Sequence, residues 1–466
     1  MLSTHHPETS KIPRRAARLS SLLVLLAGLL MLTNVQARDL REVKPAKEGF
    51  SSERLARIDT FMNQAVKDGV MVGGLGVIAR NGNIVYSSTW GQRDREQALP
   101  MTDDTLFRIY SMTKPITGVA LMMLYEEGKF LLNEPVAKYI PELANLTVAV
   151  STADGQVQGR SDGTQSSTQG EGDASKVGLT RAPSRQPTIR DLMRHTAGFT
   201  YGVFGNTEVD QQYREAGLLR DHPNLQDFVA KLGKIPLQYD PGTRWHYSVS
   251  VDVQGRLVEV LSGMKFGEFL EQRLFAPLGM TDTSFTVPAA KQPRLAQLYS
   301  PKGTPGSVNA WLTPNTSSEL EVANDYANQG FKPGATFESG GGGLVSSASD
   351  YLRFSQMMLN GGELDGVRIL GSKTVELMSR NHLGDIPMGF GASGVGFGLD
   401  FGVLLDPGVA GEPGSEGEYN WGGAAGTKFW IDPKEQVIGL FMVQSLPHRT
   451  TLGSKFKSLT YQAIVD

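Results

Sequence analysis

The sequence predicts an α+β fold in which one β-sheet is combined with a helical region. Three observations carry this expectation. An amphipathic helix and a β-hairpin open the folded part. A long apolar helix follows a Ser-x-x-Lys stretch, and a second hairpin with a last helix closes the chain. Strands at both ends with helices between them fit an α+β architecture, not alternating βαβ units. The 466 residues suffice for one large domain or two ordinary ones.

Residues 1–37 read as a secretory signal peptide. Lys11, Arg14, Arg15 and Arg18 form its basic region, Leu22 to Leu32 its apolar core, and Val35-Gln36-Ala37 its cleavage site. The apolar core falls short of the roughly 20 residues that span a membrane. A periplasmic or secreted protein, with no stable membrane association after cleavage, is therefore expected, and 38–466 is its folded domain. Within it, Ser51 to Asp68 has Leu55, Ile58, Phe61 and Met62 near helical spacing. Gly73–Ala79 and Ile84–Trp90 read as strands joined at Asn81-Gly82, a hairpin turn signal. Ile116 to Leu124 reads as a buried helix. Residues 151–187 are dominated by Ser, Gly, Gln, Asp and Thr, which predicts a polar, flexible insertion. Folded sequence resumes at Thr188. Helices are expected over Val251–Leu261, over Ser349–Leu359 after the Gly340–Gly343 run, and over Lys455–Ala463. A hairpin is expected from Gly426–Ile431 and Gln436–Gln444 around Asp432-Pro433.

Charge and cysteine content narrow the function. The segment 1–37 carries +3, so the remainder carries −6 against −3 for the whole chain. Nothing in that balance points to nucleic acid. The absence of cysteine excludes disulfides, thiolate metal sites and a cysteine nucleophile. A chain of this size can rely on its core alone.

The chemistry centres on Ser111-Met112-Thr113-Lys114. Pro115 follows at once, and proline is tolerated only in a helix's first turn, where the N–H groups lack intrahelical partners. Ser111 therefore lies at a helix start, with Lys114 on the same face. The positive helix end there favours a developing oxyanion. A serine nucleophile also needs a base. Lys114 serves if partly deprotonated, and a tyrosine beside it is the alternative, as a phenolate or a proton relay. Tyr247, in a turn before an apolar helix, is the candidate, and Tyr326, in a polar stretch, is the rival. Trp421-Gly422-Gly423-Ala424 precedes a late strand. Its adjacent glycines allow close backbone approach, which makes the Ala424 N–H a candidate oxyanion donor to pair with that of Ser111, beside the alternative of a plain glycine bend.

Other constellations fail. Gly159-Arg160-Ser161-Asp162-Gly163 has the nucleophile-elbow pattern but lies inside the polar insertion, without the strand and helix it requires. Ser454-Lys455-Phe456-Lys457 repeats the Ser-x-x-Lys spacing in a polar setting and reads as a solvated helix face. The seven histidines contain no metal-binding motif, and His195 and His246 read as structural. Gly340–Gly343 lacks the Lys-Ser/Thr of a phosphate loop and reads as a close backbone crossing near the cleft.

Taken in order, Ser111-x-x-Lys114, Tyr247 and Trp421-Gly-Gly resemble the serine β-lactamase and penicillin-binding-protein superfamily, in its class C-like branch with the family VIII carboxylesterases. Leu192–Gly198, Pro241-Gly-Thr-Arg244 and Gly341–Ser346 extend the likeness over roughly 50–463. The resemblance implies an antiparallel sheet flanked by helices plus a helical subdomain, with the site between them. It implies that Ser111 is acylated, that Lys114 and Tyr247 move protons, and that the backbone of Ser111 and Ala424 holds the oxyanion. Trp421, Gly422 and Gly423 would bind substrate. Two positions depart from the pattern. Trp421 replaces a lysine that would meet a substrate carboxylate, and Val249 replaces an asparagine two residues after the tyrosine.

These readings converge on an exported serine hydrolase, a carboxylesterase for small to medium acyl esters that needs no metal or cofactor. The enzymatic alternatives are a β-lactamase or D-alanyl peptidase, and a serine acyltransferase. The non-enzymatic one is a peptidoglycan- or lactam-binding sensor.

Overall fold

A computed structural model describes residues 1, 40–150, 179–219, 222–305, 317, 319–324, 331 and 336–466. Residues 2–37 of the signal segment, the stretch 151–178 with Ser161, and the rival Tyr326 lie outside the described residues.

The N-terminal helix α1 (Ser52–Lys67) forms where expected. The Ser51 side chain accepts from the Arg54 N–H and caps it, and Leu55, Ile58, Met62 and Ala65 make its buried stripe. Strands β2 (Gly73–Arg80) and β3 (Asn83–Asp94) follow. Their two-residue turn places Asn81 at φ 52° and Gly82 at φ 77°. Positive φ at both turn positions matches the strands' twist, and Asn-Gly adopts it most readily.

The main sheet has the spatial order β1 (Arg41–Glu42), β3, β2, β8 (Val437–Val443), β7 (Lys428–Asp432), β6 (Tyr419–Gly422), β5 (Gly402–Leu404) and β4 (Val395–Phe397). Leu99–Pro100 pairs with β3 off this path. Only β1 runs parallel to its neighbour, and the other pairs along the path are antiparallel. The C-terminal β8 thus sits between the N-terminal hairpin and the late strands. It is buried throughout and alternates between two cores. Val437, Phe441 and Val443 join the core under α1 and α7 (Leu452–Tyr461), with Trp90, Trp430 and Phe456. Ile438, Leu440 and Met442 join the core of the opposite face. Each large apolar side chain fully buried here stabilises the fold by about 1.5–3 kcal/mol.

That opposite core holds α2 (Thr113–Glu126), in which every residue from Thr113 to Leu124 is buried. A helix apolar all round belongs in a core. Pro115 falls in its first turn, as the sequence required. The helical region is built by α3 (Glu208–Glu215), α4 (Leu225–Leu232) and α5 (Ser250–Ser262), with α5 packed directly on α2. Helix α6 (Ala348–Leu359) covers the same face of the sheet through Phe354 and Met357.

Two expectations need correction. The polar insertion does not extend to 187. Val148–Ala149 pairs with Thr180–Arg181, the Pro187 carbonyl accepts from the Val136 N–H at 3.0 Å, and Arg181 and Arg185 form ion pairs with Asp240 and the buried Asp191. Composition had hidden these residues because they are held by backbone and charge, not by apolar burial. Nor is Ser454–Lys457 a solvated face. It lies in α7, where Phe456 is in the core and the buried Lys457 meets the buried Glu418 at 2.7 Å. Tyr461 bridges Glu418 and Asp432 at 2.9 and 2.8 Å, so a polar run on this helix covers a buried charge cluster.

The ends of the remaining stretch are adjacent, since the Val150 N–H donates to the Leu179 carbonyl at 2.9 Å. Replacing 151–178 by a short glycine linker should leave Tm unchanged or raise it by a few degrees, because a shorter loop costs about 1–2 kcal/mol less to close. A large fall in a thermal melt would show that the stretch contributes to the core.

Candidate active site

Ser111 sits in a single 3₁₀ turn, Tyr110–Met112, that feeds directly into α2. Lys114, one turn on, is fully buried. Its amine donates to Ser111 Oγ at 3.2 Å, to the Tyr201 hydroxyl at 2.8 Å and to the Gly341 carbonyl at 2.5 Å. Three acceptors satisfy the three hydrogens of an ammonium. A neutral amine would keep two donors and turn its lone pair toward the Ser111 hydroxyl, which is the geometry a general base requires.

The surroundings hold this amine in a dry, polar cradle. Asp252, in the first turn of α5, accepts from the Ser339 hydroxyl at 2.5 Å and the Gly341 N–H at 3.1 Å. The Gly341 peptide thus links Asp252 on one side to Lys114 on the other. Burial raises the Asp252 carboxyl, opposed by the Ser339 bond and the Lys114 charge. Burial also holds the Tyr201 phenol well above its ordinary value, reinforced by Tyr247, Asp252 and Asp400, so Tyr201 stays protonated. The fully buried His195 is pushed well below its ordinary value by burial, then by Lys114 and His246, and stays neutral. Beneath α2, Gln254 donates to Asp400 Oδ1 at 3.0 Å, while Asp400 Oδ2 has no hydrogen-bond partner among the described residues. Burial pushes that carboxyl well up.

Tyr247 stands in the loop before α5 and is buried against Lys114, whose amine lies 4.6 Å from the ring centroid. Its hydroxyl accepts from the Trp421 indole N–H at 3.2 Å. Trp421, the third residue of β6, has its ring edge-on to Phe397 at 5.1 Å. The following turn returns to β7 through Gly422, Gly423 and Ala424. A Cβ at Gly423 would fall inside 3.0 Å of Thr427 Oγ1 and the Ile109 carbonyl oxygen. Only glycine lets the turn press against the segment that carries Ser111. No hydrogen bond among the described residues uses the Ala424 N–H. Ser111, Tyr201, Tyr247, Trp421 and Ala424 all face one cleft of about 970 Å³.

These residues and this sheet agree with a known family. A family model described as Beta-lactamase matches residues 58–457. The chain belongs to the β-lactamase family. Esterase EstB of Burkholderia gladioli is 30% identical over 386 residues, covering 81% of this chain and 87% of EstB. A putative D-alanyl-D-alanine carboxypeptidase of Escherichia coli K12 is 27% identical over 429 residues, covering 88% of this chain and 86% of that one. The solved structure of EstCE1, a hydrolase with promiscuous acyltransferase activity, superposes with a TM-score of 0.68 at 24% identity, over 88% of this chain and 99% of EstCE1. This last likeness bears on the fold. As a family member with an esterase relative at this identity, the chain is a serine hydrolase.

Ser111, Lys114, Tyr247, Trp421 and the Gly422–Ala424 turn lie together at this cleft. Val249 lies apart from it. It is fully buried in the main core at the start of α5, so that position presents nothing to a substrate amide. The sequence reading missed Tyr201 and Asp252, which touch Lys114 directly or through one peptide. The Gly340–Gly343 run was their signal. A Cβ at Gly341 would fall 2.8 Å from Asp252 Oδ2 and from the Tyr201 hydroxyl, so the glycines mark where three segments meet. His195 and His246 pack structurally, bonded to Ser248 at 3.4 Å and Thr200 at 3.2 Å. No group of three side chains able to hold a metal occurs among the described residues.

Two outcomes follow. Gly423→Ala should lower kcat/KM by roughly 10- to 100-fold, since displacements near 1 Å carry such costs. Gly422→Ala should be milder, because its Cβ would meet only the Thr427 carbonyl oxygen, at 3.0 Å. Equal effects would place the Gly423 contact outside the reaction geometry. Asp400 has φ 65°, which asparagine also tolerates. A carboxyl raised in the fold stabilises below its unfolded pKa and loses that contribution as pH climbs toward the folded value. Asp400→Asn should therefore flatten the denaturant-measured stability profile above about pH 4 and gain on wild type as pH rises. A constant offset across pH would mean that Asp400 does not titrate with folding.

Proposed function

We propose that the protein is an exported carboxylesterase that cleaves neutral esters of small to medium acyl groups through an acyl-enzyme on Ser111. The observation that carries this reading is the buried Lys114 amine within bonding distance of Ser111 Oγ, in a cleft where Trp421 stands in place of a cation. Ser111 Oγ attacks the ester carbonyl, and its proton passes to Lys114, with Tyr247 as relay to the leaving alkoxide. The backbone N–H groups of Ser111 and Ala424 hold the oxyanion, each such donor being worth roughly a hundredfold or more in rate. The alcohol departs, water attacks the acyl-enzyme, and the same groups return the proton to Ser111.

Substrate charge follows from Trp421. Its one polar hydrogen is spent on Tyr247, so nothing at this position pairs with a carboxylate. The esterase named among the relatives supports the same direction, and the basic and apolar segments of 1–37 support export.

Ser111→Ala should abolish both ester turnover and covalent labelling by a fluorophosphonate. Tyr247→Phe keeps the ring under Lys114 and should lower kcat by about a hundredfold to ten-thousandfold with less effect on KM. Purified protein assayed on p-nitrophenyl esters and a chromogenic cephalosporin should favour the esters. Persistent labelling of Ser111→Ala, a silent Tyr247→Phe, or faster cephalosporin turnover would each remove part of this assignment.

A further inference from the structure

One feature of the cleft is not needed for acyl transfer to Ser111. Phe390 lies at the cleft and is 63% exposed, with its backbone at φ 64°. A bulky residue in the left-handed region is strained, and a large apolar ring in water is unfavourable. The placement is nonetheless enforced. A Cβ at the neighbouring Gly389 would meet the Trp245 ring at 2.8 Å, so glycine lets the loop press onto Trp245. Gly391 on the other side is also left-handed, at φ 66°.

From Phe390 inward the cleft is ring after ring. Phe390 lies 6.0 Å from Phe204, 5.4 Å from Trp245 and 5.7 Å from Tyr247. Phe204, itself 44% exposed, lies 5.8 Å from Tyr201. Tyr247 continues the series to Tyr201 at 5.3 Å and Trp421 at 5.5 Å. The wall thus runs from a solvent-exposed pair to the two tyrosines that enclose Lys114. An aliphatic stretch of the same cleft, Val203, Leu218 and Leu219, already provides for an alkyl group. Aromatic faces and edges add an oriented quadrupole contact that favours a ring over an alkyl group of the same size.

We propose that Phe204 and Phe390 form the outer end of an aryl-binding wall, and that esters bearing an aromatic ring are the preferred substrate class of this enzyme. The inference rests on the esterase reading above. Phe390 is then a specificity-determining residue, which meets the proposed relay Tyr247 ring to ring at 5.7 Å and transfers no proton itself.

The test uses isosteric pairs that differ only in aromaticity. Methyl phenylacetate against methyl cyclohexylacetate puts the ring on the acyl side. Benzyl acetate against cyclohexylmethyl acetate puts it on the alcohol side. Wild type should favour the aryl ester by about three- to tenfold in kcat/KM in at least one pair, the size expected of ring–ring contacts. Phe390→Leu keeps apolar volume without a π face, and Phe390→Asn suits the left-handed backbone. Both should bring that ratio close to one, chiefly through KM, with Tm within a few degrees of wild type. A ratio near one in both pairs for wild type overturns the inference and leaves the esterase reading standing. So does an aryl preference that survives in both variants. A wild type inert toward all four esters would instead overturn the esterase reading, and this inference with it.

Discussion

The buried amine of Lys114 is the constraint on which the rest of the site depends. A charge taken out of water without partners is destabilising by several kcal/mol. Here its partners come from three separate parts of the chain: the turn before α2, the loop at Tyr201, and the glycine run at Gly341. Satisfying one buried amine therefore fixes the nucleophile, a tyrosine and a backbone crossing in one arrangement. Loss of any one acceptor would leave a fully buried donor unsatisfied, which makes the three contacts mutually dependent.

The same economy appears around it. Asp252 reaches Lys114 only through the Gly341 peptide, and that peptide fits only because residue 341 has no side chain. Gly423 does the equivalent work on the opposite side, bringing the turn after β6 against Ile109, two residues before Ser111. Two close approaches that exclude a Cβ thus bracket the nucleophile. The neutral His195 and the protonated Tyr201 add no charge of their own beside Lys114. A low-dielectric site of this kind strengthens electrostatic stabilisation of an oxyanion.

Trp421 joins this chemistry to substrate choice. Its indole N–H is committed to Tyr247, and its ring belongs to the aromatic wall that reaches the cleft mouth. A single substitution relative to the family pattern therefore removes a cation, orients a tyrosine and extends an apolar surface. These effects are the ground for the proposed preference for neutral, ring-bearing esters.

The sequence by itself determined the elements whose signals are local. The Asn81-Gly82 hairpin, the amphipathic α1, the first-turn Pro115 and the apolar α2 depend on φ preference and periodicity, which act within a few residues. Ser111 and Lys114 were legible for the same reason, since one helical turn sets their distance. Only the tertiary structure decided the partners of Lys114. Tyr201 and Asp252 lie 87 and 138 positions along the chain from it, and nothing local distinguishes them from other buried polar residues. The limits of the insertion were likewise invisible, because 179–187 are held by strand pairing and ion pairs with distant residues, not by apolar composition. The buried Lys457–Glu418 pair misled for the matching reason: a polar run looks solvated until the fold brings the opposite charge to it. Local geometry is encoded in neighbouring residues, whereas the satisfaction of a buried charge is settled only when remote segments meet.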